Sequence, residues 1–167
     1  NMAAFDAGIA TWQEKRRWDA VRPFSAIRWL YGEEPVIAWG GPGRGTVYDL
    51  PANEWRSYLE EADHPEYPSG SSCFCTAHAQ AARRFLPNKD VLNWTVSRAA
   101  GSSRIEPGIT PAAPTDLHFE TWTQFAQECG QSRVWAGVHF QAAVDEAAQL
   151  CSVFGDTAYD YVTPLID

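Results

Sequence analysis

The chain opens on a helical rhythm. In "NMAAFDAGIATWQ" the residues Met2, Phe5, Ile9 and Trp12 recur at intervals of three and four, the spacing of one helix face. The pattern predicts an amphipathic helix from 2 to about 21, ended by Pro23, because the residue before a proline avoids the α region. A short second helix is expected over "FSAIRWLY", 24–31. The Gly- and Pro-rich run 32–46 reads as a loop, 52–62 as one or two helical turns, and 64–68 as extended chain. Ser71 or Ser72 then caps a helix through Phe85, with Phe74, His78, Ala81 and Phe85 near one face. Pro87 and Asn88 close it, and 87–114 reads as irregular. Thr115 or Asp116 is expected to cap a further helix to about Glu128, with Phe119, Trp122 and Phe125 at helical spacing and Gly130 as its end. A last helix is expected from about His139 to Val153. No strand pairing or internal repeat is predicted. The fold class is all-α: a helical bundle with long irregular loops, one domain over 1–167.

Composition fits that picture. A chain of 167 residues, 45% hydrophobic and 13% aromatic, supports a packed core and excludes disorder. A net charge of −8 argues against nucleic acid or an anionic membrane surface as the main partner. A small anion would need a local cluster of cations against that background. No apolar run approaches the roughly 18 residues of a membrane span, and no signal-peptide pattern is present. The helical pattern starts without a lead-in, as in a piece of something longer. The compartment is therefore left open, secreted and extracytoplasmic locations included. Cys73 and Cys75 are two apart, which is not a zinc spacing. All four cysteines, with Cys129 and Cys151, are expected as buried small apolar side chains, ahead of disulfides or a metal site.

Three patches share one chemistry. In "KRRWDAVRP", Lys15 and Arg22 are seven apart. On a continuous helix that is two turns, about 10 Å of rise, so both reach toward one point. In "YPSGSS", Ser69 offers a hydroxyl, Gly70 a bare N–H, and a helix begins at once, an arrangement suited to anions. In "SRVWAGVHF", Arg133 and His139 face one site only if the chain breaks between them, which Gly137 permits. Each patch alone has an ordinary structural explanation: a solvated basic helix end, a turn feeding an N-cap, a hydrogen-bonded core histidine.

Together, Lys-x6-Arg-Pro, Pro-Ser-Gly and Ser-Arg-x5-His, in that order, resemble the vanadium-dependent haloperoxidases and type 2 phosphatidic acid phosphatases. The resemblance implies a helical bundle around an oxyanion, vanadate or phosphate in its place. It implies that Lys15, Arg22 and Arg133 neutralise the anion's oxygens while Ser69 and Gly70 donate to them. His139 would coordinate vanadium in a peroxidase or attack phosphorus in a phosphatase. The chain departs from the pattern at Ser71, where both families usually carry an acid–base histidine. It departs again at Ala143, where the phosphatases carry an aspartate that orients the imidazole. His64 is the better candidate for a residue at the pocket mouth, and His78 lies too far along its helix.

The reading that follows is a vanadate-dependent haloperoxidase-like protein, oxidising halide with hydrogen peroxide at a His139-ligated vanadate, with turnover impaired by Ser71 at the usual position of the acid–base histidine. The alternatives are a non-catalytic oxyanion-binding or scaffold domain in an assembly, and a soluble acid phosphatase with His139 as nucleophile. The expected partners are small anions, hydrogen peroxide and halide. Haloperoxidases of this type carry a second helical bundle, so this domain is expected to be the oxyanion-binding C-terminal part of a longer protein. It would pack against further helices of the same precursor or another chain.

Overall fold

The structure is a computed structural model and describes residues 1–166; the final residue of the domain expected over 1–167 lies outside the described residues. In chain order the elements are α1 (Met2–Trp18), α2 (Pro23–Tyr31), β1 (Pro35–Trp39), β2 (Thr46–Pro51), a 3-10 turn (Ala52–Glu54), α3 (Gly70–Phe85), β3 (Val91–Arg98), β4 (Thr115–Thr121), α4 (Trp122–Trp135) and α5 (Gln141–Ile166). The molecule is mostly helical, as expected. α3 is its centre and packs against α5, α4 and α1.

Small residues at four-residue spacing bring these helices together. Ala3 and Ala7 of α1, Cys73 and Ala77 of α3, and Ala147, Cys151 and Ala158 of α5 form one buried cluster. Interiors pack at crystal-like density, so small side chains here mean close backbones. The cysteines are not the free thiols expected: Cys73 pairs with Cys151 and Cys75 with Cys129. Two residues along a helix is about 200° of rotation, so Cys73 and Cys75 face different neighbours. One bridge ties α3 to α5 and the other ties α3 to α4.

α1 turns over the expected face. Ala3, Ala7, Thr11 and Lys15 are buried, whereas Phe5 is 71% and Trp12 52% exposed, with Met2 and Ile9 also outward. Of this stripe, Trp12 meets the His64 ring edge-on, while Met2, Phe5 and Ile9 face outward. α1 also stops earlier than its periodicity suggested. Asp19 adopts a left-handed conformation at φ 44° and its N–H caps the Lys15 carbonyl. Arg22 then precedes α2, which has Pro23 in its first turn.

Two antiparallel strand pairs, β1 with β2 and β3 with β4, correct the expectation that no strands pair. The helix expected from Thr115 is strand β4 followed by α4. The true cap is Thr121, whose hydroxyl oxygen accepts the Gln124 N–H at 2.9 Å. Phe119, Trp122 and Phe125 do cluster, but across a strand–helix corner, which mimics helical spacing. Gly130 does not end α4. It is buried inside it, where a Cβ would meet Val144 Cγ1 at 2.8 Å and Ser72 Oγ at 3.0 Å. The turns expected over 52–62 shrink to the single 3-10 turn. That segment is held partly by the Glu106 carboxylate, which accepts from Trp39 Nε1, Gly43 N, Tyr58 Oη and Thr110 Oγ1.

Candidate oxyanion site

The loop between the 3-10 turn and α3 is the floor on which the site is built. Lys15 is 1% exposed, and its ammonium donates to the carbonyls of Pro65 at 2.7 Å and Glu66 at 3.1 Å. Arg22 donates from Nε to the His64 carbonyl at 3.1 Å and from Nη1 to the Val138 carbonyl at 2.7 Å. The two cations therefore do not lie on one helix, as the spacing suggested. They converge because both grip consecutive carbonyls of residues 64–66. Burial is the largest influence on Lys15 and lowers its pKa to about 8, with Arg22 adding to the effect and Glu66 opposing it.

Arg133 arrives from the last turn of α4. The break that brings His139 back beside it is at Gly137, with φ 75°, where a Cβ would also strike Trp55 Cη2 at 3.0 Å. His139 sits two residues before α5 rather than at its start. It is buried, and its Nδ1 lies 2.7 Å from Glu66 Oε1. The same oxygen accepts the Phe140 N–H at 3.0 Å. A carboxylate can only accept, so Nδ1 carries the proton and Nε2 presents a lone pair. Burial lowers the His139 pKa, against the pull of Glu66, and Arg22 and Lys15 lower it further. Burial thus favours the neutral ring.

The α3 N-terminus completes the ring of groups. Gly70 and Ser71 open the helix, and their N–H groups have no acceptor among the described residues. Ser69 is fully buried behind them as N-cap, its Oγ accepting from Ser72 N at 3.4 Å. Its own N–H donates to the Ala143 carbonyl at 2.9 Å. Ser72 Oγ donates to the Val144 carbonyl at 2.8 Å. Ala143 thus contributes a carbonyl that anchors α3 to α5, and the ring-orienting carboxylate comes from Glu66 instead.

Lys15, Arg22, Gly70, Ser71, Arg133 and His139 all line one cavity of about 170 Å³, roughly six water volumes at about 30 Å³ each. Ser69 does not line it. His64, Trp12, Phe74 and Glu60 form other parts of the wall. His78 is exposed and is not among the lining residues.

The donor set fits a tetrahedral oxyanion such as vanadate or phosphate. Arg133 Nε is buried with no hydrogen-bond partner among the described residues. None of the three cations has a carboxylate within ion-pair distance among the described residues. Lys15 and Arg22 are buried and Arg133 is half-buried, and cations so placed with no ion-pair partner are costly unless an anion joins them. The free Nε2 of His139 would be the group to bind the central atom.

Glu66 was the residue that motif reasoning missed. Its signal was modest: a lone acid between two prolines in a segment forced to be extended, three residues before Ser69.

A pH prediction follows from Lys15. The unfolded lysine holds its proton to about 10.5 and the folded one to about 8. Between those values the unfolded chain binds more protons, so stability rises with pH across this window. Anion affinity moves the other way. Phosphate binding by calorimetry should weaken above pH 8, approaching tenfold per pH unit, and Lys15→Met should bind weakly with that slope removed.

The profile of the family described as "VCPO second helical-bundle domain" matches residues 1–167. Vanadium chloroperoxidase of Curvularia inaequalis is 25% identical over 169 residues, covering 84% of this chain and 26% of that protein. A holo-type bacterial vanadium-dependent chloroperoxidase structure aligns with a TM-score of 0.93 at 51% identity, over 97% of this chain and 34% of its own. The apo-type structure gives 0.92 at 52% identity, over 96% and 34%. A bacterial vanadium-dependent iodoperoxidase shares the fold, with a TM-score of 0.65 at 22% identity, over 95% and 31%. The chain spans about a third or less of the length of these relatives.

Proposed function

Because the chain belongs to the VCPO second helical-bundle domain family, we propose that residues 1–167 form the oxyanion-binding part of a vanadate-dependent haloperoxidase. The observation that carries this reading is His139: Nδ1 held by a buried carboxylate, Nε2 unengaged, on one cavity with Lys15, Arg22 and Arg133.

Vanadate, when bound, supplies the centre at which hydrogen peroxide is activated for two-electron oxidation of halide to a hypohalous species. The chain's residues do the rest. Lys15, Arg22 and Arg133 offset the charge of the anion in a partly dry pocket, where such pairs are stronger than in water. Gly70 and Ser71 add N–H groups at a helix N-terminus. Glu66 fixes the tautomer and direction of the His139 ring. Trp12 and Phe74 line the opening and restrict water. The exposed stripe of Met2, Phe5, Ile9 and Trp12 is the surface against which further helices of the protein would pack. The two disulfides favour an oxidising compartment.

The test is to load the native protein carrying these residues with orthovanadate and assay peroxide-dependent bromination. Halogenation that requires vanadate is expected. Complete loading without halogenation would replace this reading by a non-catalytic anion-binding domain, an outcome that Ser71 makes worth measuring. Phosphomonoester hydrolysis inhibited by vanadate would favour the phosphatase, since the Glu66–His139 pair orients a nucleophile equally well.

A further inference from the structure

Exchange of oxygen ligands at an oxyanion requires a group that gains and loses a proton near neutrality. The cavity wall offers few. Ser71 has a hydroxyl that does not ionise in this range. Arg22 and Arg133 stay protonated. Lys15 of α1 is engaged by two carbonyls. His139 has Nδ1 held by Glu66 and is needed at Nε2 for the central atom. Glu60 is a surface carboxylate of the loop. His64 remains.

Resting on the haloperoxidase reading, we propose that His64 is the proton-transfer residue of this pocket, acting through Nε2. The ring stands edge-on to Trp12, with centroids 4.7 Å apart. Its Nδ1 lies 3.1 Å from both the Pro65 carbonyl oxygen and Arg22 Nη2. Its Nε2 forms no hydrogen bond among the described residues. The two Nδ1 neighbours make opposite demands, because a carbonyl accepts and a guanidinium donates. With Nδ1–H directed to Pro65, Nε2 is bare. It takes one proton from an incoming hydrogen peroxide. The resulting imidazolium keeps the Pro65 bond, and Nε2 returns that proton to the hydroxyl oxygen of the anion, which departs as water. One proton enters and one leaves, and no electrons pass through the ring.

The surroundings favour prompt release. Burial, then Lys15 and Arg22, hold the His64 pKa below the ordinary imidazole value, while the Pro65 carbonyl and Asp63 oppose them. Arg133 and Glu60 add a positive and a negative group to the same cavity wall, and the Glu66 carboxylate lies behind His139. A bound oxyanion would offset the cations and make the imidazolium easier to form, coupling proton uptake to occupancy.

The experiment is an NMR titration of the histidine rings in the native protein with and without inorganic phosphate, with His64→Gln for assignment. Saturating phosphate should raise the His64 midpoint by about one pH unit or more. His64→Gln should bind phosphate within about threefold of the parent, because the three cations and His139 remain. After vanadate loading its turnover should fall by about 10²–10⁴-fold and the limb of the pH–rate profile assigned to His64 should vanish. A His64 midpoint unmoved while His139 responds to phosphate, or a variant with the parent's rate and pH profile, would overturn the assignment. If phosphate disturbs neither histidine nor yields binding heat, the anion pocket itself is wrong and the role of His64 goes with it.

Discussion

Glu66→Ala is expected to lower vanadate affinity by about 10–100-fold and vanadate-dependent turnover by about 10²–10⁴-fold. Glu66 Oε1 accepts from both His139 Nδ1 and Phe140 N. Removing it frees the ring to rotate and to place its proton on Nε2, which then cannot bind the anion's central atom. It also removes the negative charge that favours protonated Lys15 and Arg22, so the pocket becomes harder to keep fully cationic. Leaving a buried donor unpaired costs about 1–3 kcal/mol besides, so thermal unfolding must be measured alongside. Glu66→Gln separates orientation from charge. Its amide oxygen can take both bonds, and affinity should stay within about tenfold of the parent. Full vanadate loading by the alanine variant at parental concentrations would show that the ring is held by something else.

The parts of the site that were legible in the sequence are those whose chemistry is fixed by residue type. Lys15, Arg22, Ser69, Gly70, Arg133 and His139 were expected around one anion, with Ser71 beside them, and all but Ser69 line one cavity. Gly137 was legible as the necessary break because Arg133 and His139, six apart, cannot face one point from one helix. What was hidden depends on contacts between distant segments. Glu66 orients His139 from 73 positions away, and its place between two prolines does not say which residue it meets. Side-chain bulk on α1 does not mark the buried face. Here the helices approach through Ala3 and Ala7, and the large side chains turn outward. The strand at 115–121 was missed because Phe119, Trp122 and Phe125 satisfy a helical period by accident of a corner. The disulfides were missed because two-residue spacing disperses Cys73 and Cys75 to opposite neighbours, which local spacing does not reveal.

Close approach of α3 and α5 is tested by Gly155→Ala. A Cβ there would lie 2.5 Å from the Ala81 backbone nitrogen and 2.8 Å from the Gln80 carbonyl carbon. These are backbone atoms of a helix, so no rotamer change relieves the overlap. The helices cannot simply part, because the Cys73–Cys151 bridge clamps them one turn away on α5, and Ala147 and Ala158 pack on the same face. The added methyl should therefore cost about 3 kcal/mol, the upper end for overpacking, and lower Tm by roughly 6–12 °C. Phosphate affinity of the folded fraction should change little. The anion site lies at the N-terminal ends of both helices, where Ser69 N–H binds the Ala143 carbonyl and Ser72 Oγ the Val144 carbonyl, and these bonds hold the α3 N-terminus in place about three turns of α5 before Gly155. A variant of unchanged Tm would mean that the helices tolerate a wider separation than their small-residue seam implies. One that keeps its fold but loses phosphate binding would mean that a shift at Gly155 is transmitted along α3 to Gly70 and Ser71.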